Sequence, residues 1–244
     1  MKLKEISTLA AVLMCSAGAA ADYTFIPKLG YAQKSYSLDM GDGFPSNKDT
    51  ITATASGVIW GFTVAHSSKW YFDFEEFNGN GTHKGFVEDS DTFIKRNTAV
   101  SVGRILDDGY TLFGGIRFGG SEFQFENSGG QSSDLDNDTT GVFIGGAKSF
   151  PLDATSNFSV SAGIAALTAE FKSFDTGEAI DAKGDTIGYS LGAAWNKRVM
   201  NDWNISVGGR YQAYTYEDVK DDNTVIGDQS ETITSLYAKV GYIF

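Results

Sequence analysis

Every second residue from Trp203 is apolar or small: Trp203, Ile205, Val207, Gly209, Tyr211 and Ala213. Between them stand Asn204, Ser206, Gly208, Arg210, Gln212 and Tyr214. A period of two held over that length is a strand whose two faces meet different solvents. The same alternation sets Ile187, Tyr189, Leu191, Ala193 and Trp195 against Gly188, Ser190, Gly192, Ala194 and Asn196. It sets Tyr110, Leu112, Gly114, Ile116 and Phe118 against a face that carries Arg117, and Leu236, Ala238, Val240, Tyr242 and Phe244 against Ser235, Tyr237, Lys239 and Gly241. A chain built from such stretches buries itself as sheet.

Ten stretches are predicted, at 23–38, 50–65, 70–77, 91–106, 110–126, 139–150, 157–174, 185–198, 203–217 and 231–244. The connectors fall into two alternating classes. Those at 39–49, 78–90, 127–138, 175–184 and 218–230 are long and polar, and those at 66–69, 107–109, 151–156 and 199–202 are short. Loops sorted to one side and tight turns to the other are the layout of an outer-membrane barrel. The expected fold is all-β: a transmembrane antiparallel up-and-down barrel of ten strands, with eight as the alternative, forming one domain over 22–244. An even strand number puts both ends on the short-turn, periplasmic side. Trp70, Tyr110, Phe150, Phe158, Trp203 and Phe244 all lie beside short turns or at the end of the chain, where rings suit the headgroup level. Alternation is less regular in the second, sixth and seventh stretches, and a bulge near Ala166 is expected to switch parity in the seventh.

Residues 1–21 read as a secretory signal peptide: Lys2 and Lys4, a short apolar run, then Ala19-Ala20-Ala21 before Asp22. Cys15 is the only cysteine and lies within that segment, so no disulfide can brace 22–244. The apolar run is too short for a membrane helix, and no later stretch is long enough. The 29 glycines, three prolines and 14% aromatics suit a β-rich exported chain. The net charge of −12 argues against nucleic acid, which wants a basic face.

Extending the parity puts Lys28, Asp73, Glu75, Arg117, Arg210 and Lys239 in the lumen. A charge on the lipid face would cost about 2–4 kcal/mol near mid-membrane. These six are expected to form a hydrogen-bonded network that, with Tyr214 and Tyr237, closes a narrow interior. The stretch 217–231 gathers Glu217, Asp218, Asp221, Asp222, Asp228 and Glu231 around Lys220. It is expected to be a surface loop that binds divalent cations weakly. Asp134, Asp136 and Asp138 start like a calcium loop. Thr139 and Gly145 then stand where glycine and glutamate belong, so the EF-hand pattern fails. No metal site, cofactor or phosphate loop is expected.

The terminal strand resembles that of Gram-negative outer-membrane β-barrels. In those, a C-terminal Phe with apolar residues at alternate positions, here Phe244, Tyr242 and Val240, is the signal read by the barrel-assembly machinery. The chain resembles the broad group of small barrels that includes OmpA-, OmpW- and opacity-type proteins. The resemblance implies outer-membrane lipid and lipopolysaccharide as surroundings. It implies roles in envelope integrity, surface interaction or passage of small solutes. His66-Ser67-Ser68 has a His-x-Ser spacing like that of outer-membrane lipid A deacylases, but it falls in a short turn on the wrong side of the membrane. His83, near Glu88 and Asp89, is similar in position to the rim histidine of omptin proteases. The function expected is a non-enzymatic barrel with acidic surface loops. The alternatives are a narrow channel for small or hydrophobic solutes and an omptin-like rim protease or lipid hydrolase.

Overall fold

The computed structural model describes residues 22–39, 50–84, 92–126, 132–174, 179–200, 202–221 and 224–244. Ten strands carry the fold: β1 Tyr23–Asp39, β2 Thr50–His66, β3 Trp70–Lys84, β4 Thr92–Ile105, β5 Tyr110–Glu126, β6 Ser132–Pro151, β7 Ser156–Phe174, β8 Ala179–Val199, β9 Trp203–Asp221 and β10 Thr224–Tyr242. Each pairs antiparallel with its neighbours in sequence, and β1 pairs with β10 from Lys28↔Gly241 to Asp39↔Ser230, so the sheet closes on itself. The ten-strand expectation holds, and the eight-strand alternative is set aside.

Strands β3, β6, β8, β9 and β10 run well past the bounds read from the sequence, whereas β5 matches them and β4 is two residues shorter. β4 has 14 residues and β8 has 21, whereas a tilted strand needs about 9–11 to cross a bilayer. The surplus lies at the end away from the short turns. Much of the expected loop sequence is therefore strand: 78–84, 132–138, 179–184, 218–221 and 224–230 all belong to the ladder. On that side the described strands bracket only 40–49, 85–91, 127–131, 175–178 and 222–223. The contrast in connector length thus fades along the chain.

The reason is a change of solvent along each strand. In β2 the outward residues are Val58, Trp60, Phe62 and Val64 near the short turn, then Ser56, Thr54, Thr52 and Thr50 beyond. The inward residues run the other way, with Thr63 near the turn and Ile59, Ala55, Ala53 and Ile51 buried beyond. In β7, Phe158, Val160 and Ile164 face outward and are exposed, while Leu167, Ala169 and Phe171 are buried inside. Its pairings with β6 and β8 run unbroken through Ala166, so the expected bulge is absent. Parity never switches there; the apolar environment moves from the outside of the wall to the inside. Register shifts lie elsewhere, between Lys183 and Asp185 and near Gly227.

The short turns are tightly specified. Lys69, Asp108 and Met200 take positive φ in three of them, and Gly109 (φ 76) follows Asp108. At Gly109 an added Cβ would also meet the Ser149 carbonyl oxygen at 2.8 Å, so glycine is required on both counts. Rings mark this end on the outside. Trp70, Tyr110, Phe150, Phe158 and Trp203 are exposed, with Arg104 over Trp70 at 5.5 Å and Lys148 over Tyr110 at 3.8 Å. Phe244 rests against Phe25 and Tyr242 and donates its backbone N–H to the Phe25 carbonyl at 3.0 Å, lapping across the β1–β10 seam.

Candidate functional site: a two-part lumen

The interior divides into an aromatic plug at the distal end and a charged cavity beneath it. The plug draws buried side chains from nearly every strand: Tyr36 and Leu38 of β1, Ile51 of β2, Phe93 of β4, Phe123 and Phe125 of β5, Leu135 of β6, Leu167 and Phe171 of β7, Ala182 of β8, Tyr214, Tyr216 and Val219 of β9 and Ile233 of β10. Ring centroids of Phe93 and Phe123 stand 4.8 Å apart, with Tyr36 within 5.5 Å of both. Such contacts add about 0.5–1.5 kcal/mol each beyond area burial.

One ion pair is sealed inside this plug. Lys95 Nζ lies 3.3 Å from Glu231 Oε1, both side chains only 3% exposed. Lys95 also donates to Ser121 Oγ and sits 4.8 Å from the Tyr36 ring, while the Tyr216 hydroxyl donates to the other Glu231 oxygen. A buried pair tolerates desolvation only when its remaining valences are met in this way. Glu231 is therefore not part of a surface acidic loop, which corrects the sequence expectation. Its parity follows from Lys239 four rungs on, and Lys34 and Lys95 are likewise inward residues that the charge reading passed over.

Beneath the plug is a cavity of about 490 Å³. Lys28, Asp73, Glu75, Arg117, Arg210 and Lys239 all line it, joined by Lys34. Lys28 pairs with Asp73, which also accepts from Thr63 Oγ1. Lys239 pairs with Glu75 at 2.7 Å and sits 4.5 Å from the Tyr237 ring. Arg117 donates to the Tyr214 hydroxyl across the barrel, and Gln212 Nε2 donates to the same oxygen at 2.8 Å. Tyr214 reaches that point by lying flat against Gly188, its partner across the ladder; a Cβ there would sit 2.1 Å from the ring. Arg210 lines the cavity with no ion-pair partner within 4.0 Å among the described residues. The expected single network is thus two separate carboxylate pairs with two arginines beside them. The bulk that blocks the distal lumen is aromatic, not ionic.

The remaining candidates fall elsewhere. His83 is buried in the plug, its ring edge-on to Phe123 at 5.5 Å and Phe125 at 4.6 Å, and Nε2 lies 3.2 Å from the Gln124 carbonyl. Glu88 and Asp89 lie outside the described residues. His66 is the last residue of β2, at the edge of the β2–β3 turn. Its Nδ1 faces both Ser68 Oγ at 2.6 Å and the Ser68 N–H at 3.1 Å, which makes it a turn fastener. Asp134, Asp136 and Asp138 stand on alternate residues of β6, outside the wall. Alternate residues of a strand are spaced by about 6–7 Å, and among the described residues no group of three His, Cys, Asp or Glu side chains is arranged to hold a metal ion.

A closed ten-strand sheet with Leu29, Tyr31, Leu112, Val142, Ile144, Ile164, Ile187, Leu191 and Leu236 exposed on its outer face presents a belt that water does not suit. The outer membrane protease OmpT from Escherichia coli superposes with a TM-score of 0.61, at 10% identity over 93% of this chain and 98% of that one. The fold is that of a Gram-negative outer-membrane β-barrel. The translocator domain of the autotransporter NalP from Neisseria meningitidis is a second likeness, with a TM-score of 0.55 and 12% identity over 99% of this chain and 95% of that one. No protein-family model matches the chain, and no curated protein sequence resembles it. At these identities the likeness of this outer-membrane barrel to either structure is one of fold.

Proposed function

We propose that this outer-membrane barrel is non-enzymatic and non-conducting, and that it works through its outer distal surface in an envelope or surface-interaction role. The observation that carries the reading is the plug: Tyr36, Phe93, Phe123, Phe171 and Tyr216 fill the lumen at the loop end. Small barrels have interiors that side chains can fill, and here the fill is mostly aromatic and aliphatic, packed around a Lys95–Glu231 pair whose charges are turned on each other. The rim-protease reading would need a solvent-facing histidine, whereas His83 is buried with its ring edge-on to Phe123 and Phe125. The distal wall offers a polar outer face instead, with Glu170 between Lys172 and Lys183 at 3.4 and 2.8 Å and Thr168 donating to Asp185 at 2.8 Å. The same proposal takes residues 1–21 as the export signal and Phe244, Tyr242 and Val240 as the assembly signal.

Planar-bilayer recording tests it. The unmodified protein is expected to be silent, and Phe93→Ala combined with Phe123→Ala is expected to open ion-conducting events. Steady openings in the unmodified protein would sink the proposal in favour of a channel.

A further inference from the structure

The cavity beneath the plug has a charge imbalance that its own residues do not resolve. Five cations line it, Lys28, Lys34, Arg117, Arg210 and Lys239, against two carboxylates, Asp73 and Glu75. Both carboxylates are already engaged, by Lys28 and Lys239. The three cations left over make no ion pair within 4.0 Å among the described residues, although Glu75 acts on Lys34 and Arg210 at longer range. Lys34 Nζ reaches across to Asn97 Oδ1 at 2.6 Å and lies 4.0 Å from the Phe77 ring. Arg117 donates to the Tyr214 hydroxyl and lies 5.5 Å from the centre of the same ring. Among the described residues Arg210 has no carboxylate within 4.0 Å, and Glu75, on which it acts at longer range, is already paired with Lys239. This surplus sits inside a chain whose net charge is −12.

The three surplus cations face one space. Lys34 and Arg210 flank Ser235 on a single rung of the β1–β10–β9 ladder, about 10 Å apart at the usual strand spacing. Arg117 approaches from the opposite wall, and Lys34 feels the fields of both arginines. Hydrogen bonding is lopsided in the same direction. The Tyr214 oxygen already accepts from Arg117 and Gln212, so its own O–H is left to donate. Lysine and arginine offer donors only. The other acceptors of the lining are neutral amide and hydroxyl oxygens such as Asn97 Oδ1, so the cavity is short of negatively charged acceptors, which an anion would supply.

We propose that this cavity is a binding site for a small multivalent oxyanion of the phosphate type, held by Lys34, Arg117 and Arg210. Forked guanidinium donors match the paired oxygens of such an anion, and the space of about 490 Å³ is of ligand size. Entry is from the short-turn side: the lining continues down to Asn196 and Asn204, next to the β8–β9 turn, whereas the plug closes the other end. The barrel is in this respect a cup rather than a pore.

The test is calorimetric titration of the purified barrel in detergent with inorganic pyrophosphate and inorganic phosphate, at constant ionic strength set with sodium chloride. Saturable single-site binding of pyrophosphate is expected. It should weaken tenfold or more in Arg210→Met and in Arg117→Met, and stay unchanged in Lys183→Met on the outer wall. Folding of each variant is checked by heat-dependent gel mobility. If a Met variant fails to fold, Arg210→Lys is read in its place, with a loss of threefold or more expected because the fork is gone. Absence of saturable binding, equal loss in Lys183→Met, or full affinity in the arginine variants would overturn the site.

Discussion

The proximal and distal halves of this barrel share every strand and the same alternation, yet they are built inside out with respect to each other. Near the short turns, Leu29 and Tyr31 of β1 face outward and Lys28 inward; beyond them, Gln33, Ser35 and Ser37 face outward and Tyr36 and Leu38 inward. The proximal half is a membrane wall around a polar cavity. The distal half is organised like a water-soluble β-protein, polar outside and close-packed within. Period-two patterning therefore reports that two faces differ, and not which of them is the core.

Burial of charge should separate the halves most sharply. Lys95→Met strands Glu231 in the buried plug and is expected to destabilise the barrel by about 3–5 kcal/mol, measured by denaturant unfolding in lipid vesicles. Adding Glu231→Met should recover much of that loss. Lys239→Met, in the roomier cavity where Arg210 and Lys28 also act on Glu75, should cost clearly less. Equal losses would mean that both interiors have the same polarity.

The outer wall offers a second contrast. Leu191→Arg places a charge on the lipid belt and is expected to cost about 2–4 kcal/mol. Thr168→Arg, outward on β7 but beside Asp185, should stay within about 0.5 kcal/mol, as for an ordinary surface change. A large cost at Thr168 would move the membrane boundary toward the loop end and undo the division drawn here.

The smallest effect concerns the proximal turn Leu152–Thr155. The Asp153 carboxylate accepts from Ser156 Oγ at 2.6 Å, from the Thr155 and Ser156 N–H groups at 2.7 Å, and from Thr155 Oγ1 at 2.9 Å. Bonds from Ser156 first, then Thr155, hold its pKa far below the ordinary carboxylate value. A depressed folded pKa stabilises above the unfolded value, near 3.9, and the contribution fades as pH falls from there through the folded pKa. The gap in unfolding midpoint between the unmodified protein and Asp153→Asn should thus be constant from neutral pH to about pH 4 and narrow in stronger acid. A gap that closed near pH 6 would contradict this.

The proximal half was legible in the sequence because its contrast is large: Trp203, Ile205 and Val207 against Asn204 and Ser206 admit one reading. So did the six charges lining the cavity, since a lipid-facing charge is so unfavourable. Parts of the distal half, 78–84, 132–138, 179–184, 218–221 and 224–230, read as loop because residues such as Asp134, Asp136 and Asp138 look like solvated loop when counted by composition. The signal lay in the residues between them. Phe123 and Phe125, and Leu167, Ala169 and Phe171, keep the inward parity of Arg117 and Ser161 without a break. Following Lys28 to Lys34 and Lys239 to Glu231 in steps of two would also have recovered two of the missing interior charges. What parity could not supply is pairing across the barrel, because Lys95–Glu231 joins β4 to β10 and Arg117–Tyr214 joins β5 to β9.

The β1–β10 seam has a consequence for how the barrel forms. The other pairings join consecutive strands, whose ends a brief diffusive search can bring together. The seam joins Lys28 to Gly241, and it can form only when the intervening strands are already in order. Until then the growing sheet is an open ribbon, with β1 and β10 as bare edges ready to template a neighbouring molecule. Closure, rather than hairpin formation, is thus the slow and error-prone step. Refolding at rising protein concentration should divert chains into edge-to-edge oligomers without changing how fast the hairpins appear.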